Sequence, residues 1–572
     1  MSRVRSLFCK LAAAVLLTGC ADTGAPFNNS ITESSLSDDL HFLASPEMRG
    51  RLVGSPEIAA ASEWIADRFG TLGLEPAGDD GSYYQDFDLT WFSLDAPNLL
   101  SVTGAGGARR PGDGWTPINF SASTSAAGPV AFAGFGIVEP RLGYDDYRDQ
   151  DVRGKFVLVL EREPGVTDPS SPFDGLVSAD ASRTWRKALF AQERGAIGIL
   201  FVRDVHNRPE IGDWQQAHAS SWPEEPRRLE QVKTEETPAF AAVSIERLLL
   251  GAWVEDITIP AAQISVELAE ALVSGSGSTF EELSLASEEA GEGLGVIALP
   301  GVEASLTVNV ERHTITGRNI LAMVEGSDPD LRDEVVIIGA HHDHEGAISL
   351  GFYGETVFPG ADDDGSGTVG VMAVAGAYAR AIEAGERPRR SVIFAIWDAE
   401  ERGPAISQGA WYYTLRPLFP LQSTVAKLNL DMIGRHEEVP EDGGNRFRGL
   451  EVQSAESNSN AINILGYSRT PDLASQVEAA NTFGLELKMR YDNNESNLLR
   501  RSDQWPFLQN GVPAVFFHTG LHPDYHRATD TPERIEYEKL TRIVRLVHQT
   551  SWNVAQADTR PSLEEMGSRP RS

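Results

Sequence analysis

Residues 335–338 form an unbroken apolar, β-branched run, and 391–396, 425–430 and 513–517 repeat the theme of short, mostly apolar segments. Such runs predict strands buried on both faces. Between the first two, residues 368–382 are Ala-rich and predict a helix. Alternation of this kind over residues 305–556 predicts an α/β fold, a mainly parallel (mixed) sheet sandwiched by helices. In such sheets ligands bind beyond the carboxyl ends of the strands, which is where chemistry should be sought.

Upstream the pattern changes twice. Between Leu40 and Leu74 the apolar positions Ala59, Ala60, Trp64, Ile65, Phe69 and Leu72 recur at helical spacing, and Gly73 with the Gly/Asp cluster at 78–81 ends the helix. Residues 130–132 and 156–160 predict buried strands, and a helix over 188–194 leads into a strand over 197–202. This stretch also carries Gly134-Phe135-Gly136-Ile137, Gly143-Tyr144-Asp145-Asp146-Tyr147 and Asp151-Val152-Arg153-Gly154-Lys155. It is similar to the protease-associated domain, a β-rich module inserted into peptidases.

The start of the chain has a different character. Arg3, Arg5 and Lys10 flank a short apolar stretch, too short to span a bilayer, that ends in Leu17-Thr18-Gly19-Cys20. This resembles the lipobox of bacterial lipoproteins and implies export, cleavage before Cys20 and lipid anchoring to the cell envelope, at the outer membrane facing the periplasm or the exterior. Cys9 and Cys20 are the two cysteines, so the mature chain is expected to lack a disulfide. The domain reading is therefore 1–19 signal peptide, 20–35 tether, 36–114 N-terminal part of the catalytic domain, 115–295 insert, 296–556 catalytic domain and 557–572 disordered tail. The formal net charge of −34 argues against nucleic acid and against anionic membrane surfaces as partners. Contact with a membrane is expected only through the lipid on Cys20, and the sequence leaves the oligomeric state open.

Every predicted strand end in the last third delivers ionisable residues. These are His341-His342-Asp343-His344, then Asp362-Asp363-Asp364 in a Gly-rich loop, Asp398 with Glu400-Glu401, Asp431, and His522 to His526. Singly, each reads as a cap, a turn or a helix start. Jointly, so many carboxylates in one crevice would repel one another unless cations neutralised them. Histidine among them selects zinc or a similar transition metal over calcium or magnesium.

The motifs Gly339 to Asp343, Gly360 to Gly367, Glu400-Glu401, Asn429 to Gly434, and Tyr525-His526 with Asp530-Thr531 stand in this order. They resemble the two-zinc aminopeptidases typified by bacterial leucyl aminopeptidase, and the likeness extends to Arg49-Gly50-Arg51 and Gly54-Ser55-Pro56. The resemblance implies two Zn2+ per chain. Asp363 would bridge them, Glu401 and His526 would complete one site, and His341 and Asp431 the other. It implies that Asp343 orients His341 and that Glu400 is the general base, taking a proton from water and passing it to the leaving amine. It further implies a cis peptide between Asp363 and Asp364, and peptide substrates with a free N-terminus. His342 is read as a packing residue and His344 as a candidate support for the ligands. His522 is read as a nearby loop residue, Asp503 as a pocket support, and Asp362 and Asp364 as loop-shaping. The chain departs from the family after Glu401, at 403–409, and has Gln504 where His is frequent. Three alternatives stay open: a single-zinc glutaminyl cyclase, a carboxypeptidase of related fold, and an inactive peptide-binding lipoprotein.

Overall fold

The computed structural model describes residues 24–103, 107–148, 151–206, 248–349, 355–402 and 406–564. The proposed signal, Cys9 and Cys20 lie outside them. The four predicted strands form as Val335–His341, Ser391–Trp397, Thr424–Leu430 and Ala514–His518. They are the parallel centre of a ten-stranded sheet, in the order Ser391–Trp397, Val335–His341, Thr424–Leu430, Ala514–His518. Antiparallel strands flank them. Val310–Val324 and Tyr84–Leu94 lie on one side and Ala461–Leu465 on the other. The sheet is mixed, with its parallel part at the site.

All seven residues of Val335–His341 are buried because both faces are covered. Val336, Ile338 and Ala340 join the core under the helices Gly367–Glu383 and Tyr537–Gln556, while Val335 and Ile337 face a second core. That second core includes Trp411 and Tyr413 of the helix Gln408–Leu415 and Phe507 of Trp505–Gln509. The alternation is the period-two geometry of a strand between two apolar layers.

A separate seven-stranded sheet runs Leu99–Val102, Ile297–Val308, Thr124–Phe132, Phe156–Leu160, Gly198–Val202, Ala261–Ile264, Trp115–Pro117. It reaches beyond the 115–295 boundaries at both ends. The reason is register. Ile297–Val308 pairs with both Leu99–Val102 and Thr124–Phe132, so the strands entering and leaving the insert belong to its own sheet. Conversely, Leu249–Leu250, inside those boundaries, pairs with Tyr84–Leu94 of the large sheet.

Three further expectations are corrected. The helix expected over 40–74 is two helices, Glu33–Leu43 and Pro56–Thr71. Pro46 and the left-handed backbone at Arg49, Gly50, Arg51 and Gly54 break it, and Ser55 caps the second helix by accepting from the Ile58 N–H. The described part of the 20–35 tether is packed. Ala25 and Ile31 are buried, Ala25 N–H donates to Gln549 Oε1 at 2.7 Å, and Arg545 donates to the Ile31 carbonyl. The tail is ordered as far as it is described: Arg560 pairs with Glu334, and the Glu564 N–H donates to the Arg469 carbonyl. No helix among the described residues is long and apolar enough to cross a membrane.

Candidate metal centre

The site forms where the parallel strands end. His341 is the last residue of Val335–His341, and its backbone is fixed on both sides. Its N–H donates to Asp364 Oδ2, and its carbonyl accepts from Thr368 Oγ1 at 2.6 Å. Asp364 also accepts from the N–H groups of Gly367 and Met432, so its carboxylate knots together two strand ends and a helix start. Asp362 accepts from Gly434 N–H at 2.6 Å and faces His522 Nε2 at 3.2 Å. Both flanking aspartates thus shape the loop. Asp530 accepts from the N–H groups of Asp362 and Asp363. The peptide bond between Asp363 and Asp364 is cis.

The loop admits no side chain at Gly360. Its φ is +56°, and a Cβ there would stand 2.3 Å from the Asp363 carbonyl and 2.5 Å from the His344 ring. Behind the loop, the buried Arg51 donates to four carbonyls: His342 at 2.7 Å, Leu43 at 2.8 Å, Pro359 at 2.7 Å and Gly360 at 2.9 Å.

The side chains converge around Asp363. His341 Nε2 lies 3.5 Å from Asp363 Oδ1 and 3.7 Å from Asp431 Oδ2. His526 Nε2 lies 3.0 Å from Asp363 Oδ2 and 3.1 Å from Glu401 Oε2. Ligands about 2.0–2.1 Å from a tetrahedral ion stand about 3.3 Å from one another, so these separations suit zinc. The donor chemistry fits as well. His341 Nε2 and Asp363 Oδ2 are buried without a hydrogen-bond partner, the state of atoms that await a cation. His341, Asp363 and Asp431 form one group able to hold a metal. His344, Asp363 and Glu401 form a second, and Glu345, Glu401 and His526 a third.

Electrostatics agree. Burial alone would strip the proton from His341, but Asp343, Asp363 and Asp431 hold it well above the ordinary imidazole range. Burial and neighbouring acids would raise Glu401, yet His526 and His344 hold it down at about 2. His341 and His526 hold their protons because the carboxylates demand positive charge, and a metal ion would replace those protons.

Asp343 does more than expected. The His341 Nδ1 lies 3.2 Å from the Asp343 backbone carbonyl and 3.5 Å from its carboxylate, on the ring nitrogen it was expected to orient. The carboxylate also accepts from Glu400 N–H at 2.9 Å and Glu401 N–H at 3.2 Å, so it aims the Glu pair as well. The pair follows Ala399, a non-glycine residue at φ 58°, and the kinked backbone turns the two side chains apart. Glu401 joins the rings, while Glu400 Oε1 accepts from Ser407 Oγ at 3.2 Å. Burial, only partly offset by His341, pushes the Glu400 carboxyl well above its ordinary range.

His344, read from the sequence as a support for the ligands, touches Glu401 Oε1 directly at 2.9 Å. Other participants escaped sequence reading: Glu345 lies 3.5 Å from His526 Nδ1. Next to Asp503 it is Ser502 that engages a candidate ligand, donating to Asp431 Oδ2 at 2.6 Å. Asp503 lies buried, and desolvation raises its carboxyl to about 7. Gln504 donates to the Leu499 carbonyl and accepts from Asn429. His342 is a packing residue, bonded to Ser62 and the Trp397 carbonyl. Of the stretch after Glu401 that departs from the family, 403–405 lie outside the described residues. The cleft above the cluster is walled by Met432, Leu498, Arg501, Phe516, Leu521 and Tyr525. Nothing but the order of Tyr525 before His526 marked any of these walls in the sequence.

Residues 319–551 match the model of Peptidase family M28. A "Probable zinc metalloprotease" of Pyrenophora tritici-repentis is 27% identical over 273 residues, 43% of this chain and 53% of that protein, so this chain spans about half of that relative's length. A "Probable glutamate carboxypeptidase" of Arthroderma benhamiae is 33% identical over 134 residues, 23% of this chain and 16% of that one. Among solved structures, an aminopeptidase from Aneurinibacillus sp. strain AM-1 aligns over 96% of this chain and 98% of its own, at 17% identity and a TM-score of 0.45.

Proposed function

From the match of residues 319–551 to the model of Peptidase family M28, we propose that the protein is a two-zinc aminopeptidase that removes N-terminal residues from peptides. The observation that carries this reading is the division of labour around Asp363. Two sets of ligand atoms share it, and one further carboxylate, Glu400, stands beside them bonded to Ser407. His341, Asp431 and Asp363 would hold one ion, and Asp363, Glu401 and His526 the other. Zinc bound there would supply Lewis acidity, acidifying water and polarising the scissile carbonyl. Glu400 then carries the proton from water to the leaving amine, a task suited to a carboxyl whose pKa burial has raised. In this reading the free α-amino group of the substrate would be held near a zinc ion and the acidic groups, which selects action from the N-terminus. Export and anchoring through a lipidated Cys20 belong to the same proposal and rest on the Leu17 to Cys20 element.

The test is a zinc titration of metal-free protein, followed by a panel of aminoacyl-anilides with and without chelator. Activity should rise to a plateau at two equivalents of zinc and disappear with chelator. A plateau at one equivalent would point to the single-zinc alternative. Cleavage of N-blocked peptides with none of the anilides would point to a carboxypeptidase.

A further inference from the structure

The cleft wall holds a cation that the chemistry above leaves idle. Arg501 is held at the cleft by its neighbours. Ser502 Oγ is tied to Asp431 and to Asn429 Nδ2, and Arg501 N–H donates to the Leu498 carbonyl. Among the described residues lining the cleft, it carries the one permanent positive charge, alongside Asp363, Glu400, Glu401 and Asp431. It nevertheless forms no ion pair with any of them within 4.0 Å. Three other arginines of this domain are closed on carboxylates: Arg390 on Glu334 at 2.6 Å, Arg435 on Asp524 at 2.9 Å, and Arg490 on Glu437.

Arg501 makes one side-chain hydrogen bond, from Nη2 to the Tyr525 hydroxyl at 2.8 Å. A guanidinium only donates, so the hydroxyl oxygen must accept. The Tyr525 proton is then free to point elsewhere, and its ring lies against His526 with centroids 3.8 Å apart. Two donors of different elements therefore stand together beside the metal-ligand cluster, with the remaining guanidinium N–H groups uncommitted. A planar fork with a neighbouring hydroxyl is the geometry that receives a carboxylate.

We infer that Arg501, with the Tyr525 hydroxyl, is the receptor for a substrate carboxylate, so that the preferred substrates are short peptides carrying a carboxylate next to the scissile bond. The inference rests on the aminopeptidase reading. It deepens it by naming the substrate class: dipeptides, whose C-terminal carboxylate reaches the fork, or peptides with Asp or Glu after the bond. In either case the substrate spans the cleft, its ammonium toward the acidic cluster and its carboxylate on the arginine.

The experiment measures kcat/KM of the zinc-loaded full chain on four substrates: Leu-Gly, Leu-Gly-amide, Leu-Glu-amide and Leu-Gln-amide. The wild type should favour one acid over its amide at least about tenfold. Preference for Leu-Gly over its amide identifies the terminal carboxylate, and preference for Leu-Glu-amide over Leu-Gln-amide the side chain. In Arg501→Gln that ratio should fall to within about threefold of one, and Arg501→Lys should restore part of it. Zinc content and melting temperature of both variants separate this effect from misfolding. Cleavage of all four by the wild type without discrimination overturns the inference and leaves the aminopeptidase reading standing. So does an acid-to-amide ratio that Arg501→Gln leaves unchanged. Failure to cleave any of the four overturns both.

Discussion

The buried Arg51 offers a sharp test of how the metal loop is held. Arg51→Met keeps most of the stem's volume and removes the guanidinium. Four carbonyls then lose their donor, two of them, Pro359 and Gly360, immediately before the loop that carries Asp363. Hydrogen bonds to a charged donor contribute about 1.5–3 kcal/mol each, but burying the guanidinium costs several kcal/mol. Desolvation lowers the Arg51 pKa to about 10, so it is still charged at neutral pH. The gross gain and the burial cost offset each other in part. Gly360 keeps the Gly365 N–H as a donor, so what remains in the variant is three buried acceptors without partners, at about 1 kcal/mol each, or about 3 kcal/mol. At about 2–3 °C per kcal/mol for a domain of this size, the melting temperature should fall by about seven degrees. Zinc per chain, measured by mass spectrometry after gel filtration, should fall with it, because the loop positions Asp363. A variant that melts within about 2 °C of wild type and keeps its zinc would refute the account of the loop given above.

Three other outcomes are expected. Glu400→Gln should retain both zinc ions and lose at least about a hundredfold in kcat, since a proton carrier contributes about 10²–10⁴; near wild-type turnover would remove it from the mechanism. Ser502→Ala deletes the hydrogen bond to Asp431 and should weaken zinc binding about tenfold in competition with a chelator, in keeping with the usual effect of groups that orient ligands. Glu163 is buried in the smaller sheet's domain, and burial raises its carboxyl to about 8. Its folded pKa lies above the unfolded value of about 4.5, so its contribution is most favourable below pH 4.5 and is lost as pH rises toward 8. Glu163→Gln should therefore leave the melting temperature nearly unchanged at pH 5 and raise it at pH 9. An equal shift at both pH values would contradict the burial argument.

The strand ends were legible because continuous apolar runs leave few alternatives. A segment such as Ser391–Trp397 must be covered on both faces, and whatever follows it must lie at the sheet's carboxyl edge. That logic brings the strand-end histidines and carboxylates to one crevice, while singling out His341, Asp363, Glu401, Asp431 and His526 among them took the family motifs. It cannot see Arg51, whose partners are backbone carbonyls up to 309 positions away and carry no residue signature. Nor could it show that the Asp343 carboxylate, besides facing His341, also accepts from the Glu400 and Glu401 N–H groups, since backbone donors carry no residue signature. The insert's limits were missed for a similar reason. Leu99–Val102 and Ile297–Val308 look like any half-buried strands, and only pairing decides which sheet they join.

That pairing matters for the architecture as a whole. The two-residue strand Leu249–Leu250 leaves the smaller sheet's territory to lie along the outer edge of Tyr84–Leu94, and Gln408 Nε2 donates to the neighbouring Leu248 carbonyl. The inserted module therefore closes part of the catalytic sheet's rim. An open rim is a template on which strands of other chains can add, and natural proteins guard against it. Excising residues 115–295 would take the guard away with the passenger. The segment around Leu249 thus serves two sheets at once, and a chain that lost it would need a new cover on that rim.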